Sequence, residues 1–139
     1  MKRLFNYQNR PELLNIGILL SRVAGGAFML THGMPKLEKL MAGGDIQFAD
    51  PMGIGMHASL LLAVLTEVVC ALLLIFGLGT RLALVGLIAT MAVAAFVFHG
   101  ADPFAGKEKA LLYLVLYGFL FFTGSGKYSL DYLIHRKMK

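Results

Sequence analysis

Tryptophan is absent from this 139-residue chain, cysteine occurs once, and only 15% of the residues are charged. Each shortage excludes something. The single thiol, Cys70, can make neither an intramolecular disulfide nor a C-x-x-C redox pair, so electron chemistry would need a bound cofactor or another subunit. The charge content falls well below the roughly one quarter usual in soluble domains. No polar block is long enough to surround a second core, so a single domain over residues 1–139 is expected. Strand-like alternation is also missing, which argues against a membrane β-barrel.

What the chain does contain is apolar length. It is 58% hydrophobic, with a mean hydropathy of +0.71. Four apolar segments stand out, at about residues 13–30, 58–76, 82–98 and 110–122. With their flanks, each suits a hydrocarbon core about 30 Å thick. The third segment carries no charge, whereas a soluble bundle would need a polar stripe on every helix. The expected fold is therefore all-α, a polytopic bundle of four transmembrane helices in the lipid bilayer. Thr31 to His57 reads as a polar connection, and Gly77-Leu78-Gly79-Thr80-Arg81 as a short stop and turn.

The net charge of +5 is explained by basic flanks of membrane helices rather than by nucleic acid, which is not an expected partner. With both termini and the Gly77–Arg81 turn in the cytoplasm, that side holds Lys2, Arg3, Arg10, Arg81, Lys127, Arg136, Lys137 and Lys139. The other side holds Lys36, Lys39, Lys107 and Lys109. Eight against four predicts an N-in, C-in orientation. Lys2 and Arg3 resemble the start of a signal peptide, but no small-x-small cleavage site follows, so the first helix is expected to remain as an anchor. From Tyr128 onward the tail predicts a short amphipathic interfacial helix, with Ser129 as N-cap, Asp131 in its first turn and basic residues at its end.

Small residues recur every four positions at Gly17, Ser21 and Gly25, and again at Gly86, Thr90 and Ala94. Such ridges let membrane helices approach closely, within one chain or between copies in a homo-oligomer.

Two ionisable residues lie near the middle of apolar segments, Arg22 and Glu67. A charge at bilayer depth costs about 2.5–3.5 kcal/mol on insertion scales, so it is expected to have a partner or a task. Antiparallel neighbours would place the two at one depth and predict an intramembrane charge pair. That pair could fix helix register or handle a ligand or proton. Cys70, one turn from Glu67, reads as a small apolar filler.

A second group lies at the outer helix ends: His32, Lys36, His57, His99 and Glu108. Interfacial histidines bonded to loops and headgroups would account for them. So would a ligand mouth in which His99 or Glu108 sits beside a quinone headgroup. No H-x₃-H spacing is present, so no metal site is expected. Met29, Met34, Met41, Met52 and Met56 cluster toward the same side; adaptable packing explains them better than copper. Thr123-Gly124-Ser125-Gly126-Lys127-Tyr128 superficially resembles a phosphate loop. Phe121 stands where that pattern needs Gly and Tyr128 where it needs Ser or Thr, which rejects nucleotide binding.

Four stretches, in order, resemble the DoxX family of membrane proteins. They are Ser21-Arg22-Val23-Ala24-Gly25-Gly26 continuing to His32-Gly33 and Lys36-Leu37; Glu67 with Leu74-Ile75-Phe76-Gly77-Leu78-Gly79-Thr80-Arg81; Phe98-His99-Gly100-Ala101-Asp102-Pro103-Phe104 with Lys107-Glu108; and Gly124-Ser125-Gly126-Lys127-Tyr128-Ser129-Leu130-Asp131. Ser125 departs from the Gly-Pro-Gly common in relatives, which alters only the turn. The resemblance implies a multi-pass protein of the bacterial inner membrane. It further implies an accessory subunit beside redox partner subunits, since some relatives belong to a thiosulfate:quinone oxidoreductase or to thiol and oxidative stress complexes. No intrinsic cofactor is expected, and quinone is the candidate ligand. A non-enzymatic assembly scaffold is the competing class, since some relatives assist assembly of other membrane proteins. Transport is a weaker reading, because no inverted symmetry relates the two halves.

Overall fold

The computed structural model describes residues 11–138. Lys2, Arg3, Arg10 and Lys139, half of the charges behind the N-in orientation, lie outside the described residues.

Five helices and no strand form among the described residues: α1 (Pro11–Ala42), α2 (Met56–Phe76), α3 (Thr80–Phe98), α4 (Phe104–Thr123) and α5 (Leu130–Lys137). The first three are long and apolar enough to cross a membrane. Hydrogen bonds gather the helix ends into two poles. Lys127 bonds Glu12 and Asn15, while Asp131 bonds the Gly79 and Thr80 amides. The start of α1, the α2–α3 turn and the end of α4 therefore meet at one pole. The C-terminal part of α1, the 43–55 loop and the α3–α4 turn form the other.

The largest departure from expectation is α1. It does not stop near Leu30 but runs 32 residues, about 48 Å at 1.5 Å per residue, with Pro35 inside it. Proline removes one backbone donor there. Packing compensates, because Leu37 and Leu40 beyond the proline join Ile46 and Phe48 against the buried Leu60, Val64 and Val68 of α2. A segment that reads as polar connection is thus the outer wall of a second core. The main core holds Met29, Ala71, Leu74, Leu84, Leu87, Ala95, Tyr117 and Leu120, all fully buried.

Close approach of α1 to α2 depends on glycine at particular points. A Cβ on Gly26 would lie 2.9 Å from the Ala71 carbonyl, and one on Gly33 would lie 2.8 Å from the Glu67 carbonyl. Neither backbone oxygen can yield, so both positions require glycine for this contact. Gly17, by contrast, meets nothing. The contact with α2 rests on Gly26 and Gly33, while Gly25, of the ridge that starts at Gly17, faces Leu116 and Tyr117 of α4.

Both α2 and α3 contain a π-helical turn, at Leu65–Cys70 and Val93–Phe98 respectively. Such turns insert an extra residue into a helix and recur at functional sites. The α2 turn carries Glu67. On the outside of the bundle Leu20, Phe28, Leu82, Val85, Val115 and Phe122 are exposed, an apolar surface of the kind that lipid covers.

Candidate functional site

Arg22 and Glu67 do not pair, which corrects the expected intramembrane couple. The register of α1 against α2 explains why. Gly33, not Arg22, faces Glu67, and Gly77 is the α2 end residue against Arg22. Eleven residues separate Gly33 from Arg22, about 16 Å along the helix. Midpoint depths mislead here because α1 extends a further three turns beyond its apolar part.

Each charge has its own arrangement. Arg22 is 1% exposed, and its two terminal nitrogens donate to the Ser125 and Tyr128 carbonyls, both at 2.7 Å. These carbonyls belong to the segment linking α4 to α5. In the same knot, Asp131 accepts the Gly79 amide at 2.7 Å and the Thr80 amide at 3.0 Å, and its own amide donates to the Gly77 carbonyl. Burial pushes the Asp131 carboxyl upward, but the Thr80 and Gly79 bonds and the Arg22 charge outweigh it and hold the group below its ordinary 3.8. Ser129 caps α5 by accepting the Tyr132 amide, as the sequence predicts.

At the opposite pole Glu67 is 3% exposed and accepts the Lys36 ammonium at 2.5 Å through Oε1. Its Oε2 is buried with no hydrogen-bond partner among the described residues. Lys36 also sits over the Phe48 ring, 5.9 Å from its centroid. The ion pair forms part of the wall of a cavity of about 480 Å³. The rest of the wall is largely apolar: Phe48, Ala49, Pro51 and Met52 from the loop, Leu62 and Ala63 from α2, and Ala89, Val93, Ala94 and Phe98 from α3. The π-helical turns of α2 and α3 both contribute residues to it.

The loop is held over the cavity by Asp50. Its carboxylate accepts the Ser59 hydroxyl at 2.7 Å and the Gly55 and Ile54 amides at 2.8 and 3.0 Å, fixing the loop just ahead of α2. Hydrogen bonds from Ser59 and the Gly55 amide hold this carboxyl below the usual aspartate range.

Of the five residues expected at an outer mouth, Lys36 and His99 line this cavity and His32, His57 and Glu108 do not. His99 places Nδ1 2.7 Å from Asp102. His32 is exposed and lies edge-on to Tyr113, with ring centroids 6.1 Å apart. His57 and Glu108 are exposed at the starts of α2 and α4. No group of three metal-ligating side chains forms among the described residues. Met52 alone of the five clustered methionines lines the cavity, while Met29 is core.

The Lys36–Glu67 pair is what sequence reasoning missed. A signal for it exists in the buried or half-buried series Arg22, Gly25, Gly26, Met29, Gly33 and Lys36, which keeps helical spacing through the supposed boundary at Leu30.

Known proteins resemble this chain over most of its length. An uncharacterized protein of Haemophilus influenzae is 36% identical over 126 residues, covering 84% of this chain and 89% of its own. The Bacillus subtilis protein named "Putative oxidoreductase CatD" is 30% identical, covering 89% of this chain and 91% of its own. The Escherichia coli inner membrane protein YqjF is 29% identical over 91% of this chain and 98% of its own. No solved structure matches. The DoxX family profile matches residues 17–100, from the second turn of α1 through α2 and α3 and so across both Lys36 and Glu67; the chain belongs to the DoxX family of membrane proteins.

Proposed function

We propose that this chain is the quinone-binding accessory subunit of a redox assembly in the bacterial inner membrane. The observation that carries this reading is the apolar cavity with a buried ion pair in its wall. Ligand sites of this kind combine apolar walls with a few placed polar groups, in volumes of roughly 300–1,000 Å³. A substituted benzoquinone ring fits those terms. Lys36 has protons beyond the one on Glu67 and would donate to a ring carbonyl, Phe48 and Phe98 would flank the ring, and His99 would meet the outer edge. When bound, a quinone supplies two-electron, two-proton carrier chemistry; the chain's own residues bind it, orient it and exclude water. The lining residues Leu62 and Ala89 are exposed, and in this proposal they give a lipid-soluble ligand a lateral approach from the bilayer.

The relatives are consistent with this reading, one by its oxidoreductase name and one by its inner-membrane name. In this proposal α4 is a fourth span, with Lys107, Glu108 and Lys109 at its rim, and the pole containing Arg22 and α5 faces the cytoplasm. α5 then lies on the inner surface with its basic end against lipid phosphates. Electrons would pass to redox partner subunits in the plane of the membrane.

The test is direct binding. Protein in detergent or lipid nanodiscs is expected to bind a decyl-tailed benzoquinone, and Lys36→Met to weaken binding about tenfold, the weight of one charge-assisted hydrogen bond. Wild-type protein that binds no quinone would sink the reading.

A non-enzymatic assembly scaffold, or a self-assembling homo-oligomer, is the second reading. Arg22 favours it, because both of its observed hydrogen bonds go to the chain's own backbone.

A further inference from the structure

A second cavity, of about 860 Å³, lies at the Arg22 pole between the start of α3, the turn after α4 and α5. Its wall holds three basic side chains, Arg81, Lys127 and His135, all exposed, and one acid, Asp131. The acid is already matched. Its two oxygens accept the Gly79 and Thr80 amides, and the Arg22 charge lies nearby. The cations have capacity left. Lys127 gives Glu12 one of its three protons. Arg81 and His135 take part in none of the ion pairs among the described residues. The Arg81 guanidinium is a planar fork of donors, a shape that matches two oxygens of one phosphate.

The same cavity touches the apolar outside of the bundle. Leu82, which lines it, is 78% exposed and belongs to the surface that lipid covers. An occupant therefore meets cations on one side and a membrane-facing apolar side chain on the other. That combination fits an amphiphile with an anionic head better than it fits a free anion.

We infer that this cavity binds an anionic phospholipid, with the lipid phosphate on Arg81, Lys127 and His135 beside it, and the acyl chains running past Leu82. The inference shares with the reading above only the placement of this pole at the inner surface of the membrane. It is more specific than a general attraction of basic residues to the bilayer. Arg136 and Lys137, at the basic end of α5, do not line the cavity. A surface potential counts every nearby basic residue alike, whereas a site distinguishes Arg81 from Arg136.

The experiment measures binding to the intact chain in a neutral detergent by native mass spectrometry. The probes are phosphatidylglycerol, phosphatidylcholine with the same acyl chains, and inorganic phosphate. Phosphatidylglycerol is expected to bind at least about tenfold tighter than either of the others. Arg81→Gln is expected to weaken phosphatidylglycerol by at least about tenfold, as loss of one charge-assisted contact would give. Arg136→Gln removes the same charge and is expected to change binding by less than about twofold. Equal losses in the two variants, or equal affinity for the two lipids, overturn the inference. Inorganic phosphate that binds as tightly as phosphatidylglycerol overturns it too, since the site would then hold a free anion. Because the comparison of probes uses unaltered protein, the outcome does not depend on how either variant folds. Benzoquinone binding is measured separately at the other pole, so each reading can fail without the other.

Discussion

At one pole Arg22 places two nitrogens on carbonyls of its own chain and lies beside Asp131, which is itself held by two backbone amides. At the other pole Glu67 lies in the wall of a cavity, with one oxygen on Lys36 and the second buried without a partner among the described residues. Both side chains are almost wholly buried, and both are costly at membrane depth. The difference lies in what completes them. Both terminal nitrogens of Arg22 are completed by the fold, with only Nε unpartnered among the described residues, so its removal should be felt as lost structure. Glu67 is completed only in part, so its removal should be felt mainly as lost recognition.

The sharpest break of this contrast is Arg22→Met. It leaves the Ser125 and Tyr128 carbonyls without their donor and Asp131 without its neighbouring cation. A loss of about 3–5 kcal/mol is expected, as for other broken buried charge networks. Chemical unfolding in detergent micelles would measure it, and an unchanged midpoint would show that the knot does not hold the pole together.

Gly77→Ala should follow closely. Gly77 has φ +68, and an added Cβ would lie 2.0 Å from an Arg22 terminal nitrogen. Backbone strain alone costs about 1–3 kcal/mol at such a position, before the displacement of Arg22 is counted. The same unfolding assay should give a value between wild type and Arg22→Met.

Glu67→Gln should separate the poles. Lys36 keeps 29% of its side chain exposed and can turn outward, so stability should fall by only about 1 kcal/mol. Binding of the decyl-tailed benzoquinone should meanwhile weaken, because Lys36 loses the carboxylate that holds it at the cavity wall. A variant that unfolds like Arg22→Met would place Glu67 in the same structural class and remove the contrast.

Acid should reach the Arg22 pole through Asp131. Its folded pKa lies below 3.8, so its contribution is fully present above the unfolded value and is lost as pH falls through 3.8 toward the folded value. Wild-type stability should therefore decline on acidification below about pH 4, and Asp131→Asn should flatten that limb. The smallest effect is expected at Asp50→Ala, which frees the 43–55 loop from Ser59 and the α2 start. Limited proteolysis within the loop should quicken, with little change in the unfolding midpoint.

The all-helical class, the apolar helices and the capped α5 were legible because they follow from local chemistry: apolar length, glycine turns and a serine at an N-cap. So was the family, because its short stretches occur in order. The cavity was half legible. Lys36 and His99 were marked as candidates, and Glu67 was marked for its cost, yet nothing local joined Glu67 to Lys36. Pro35 and the polar residues around it suggest a connection, whereas the helix continues because Leu37 and Leu40 find an apolar surface on α2.

By itself, then, the amino-acid sequence determined which segments are apolar helices, where they turn, and that two charges had to be accommodated among them. Those outcomes depend on neighbouring residues along the chain. Only the tertiary structure decided which groups accommodate the charges, because that depends on the register of one helix against another. Gly26 and Gly33 set that register by letting α1 lie directly on the backbone of α2. Lys36 then stands opposite Glu67, Arg22 opposite the closing turn, and one carboxylate oxygen is left buried without a partner among the described residues.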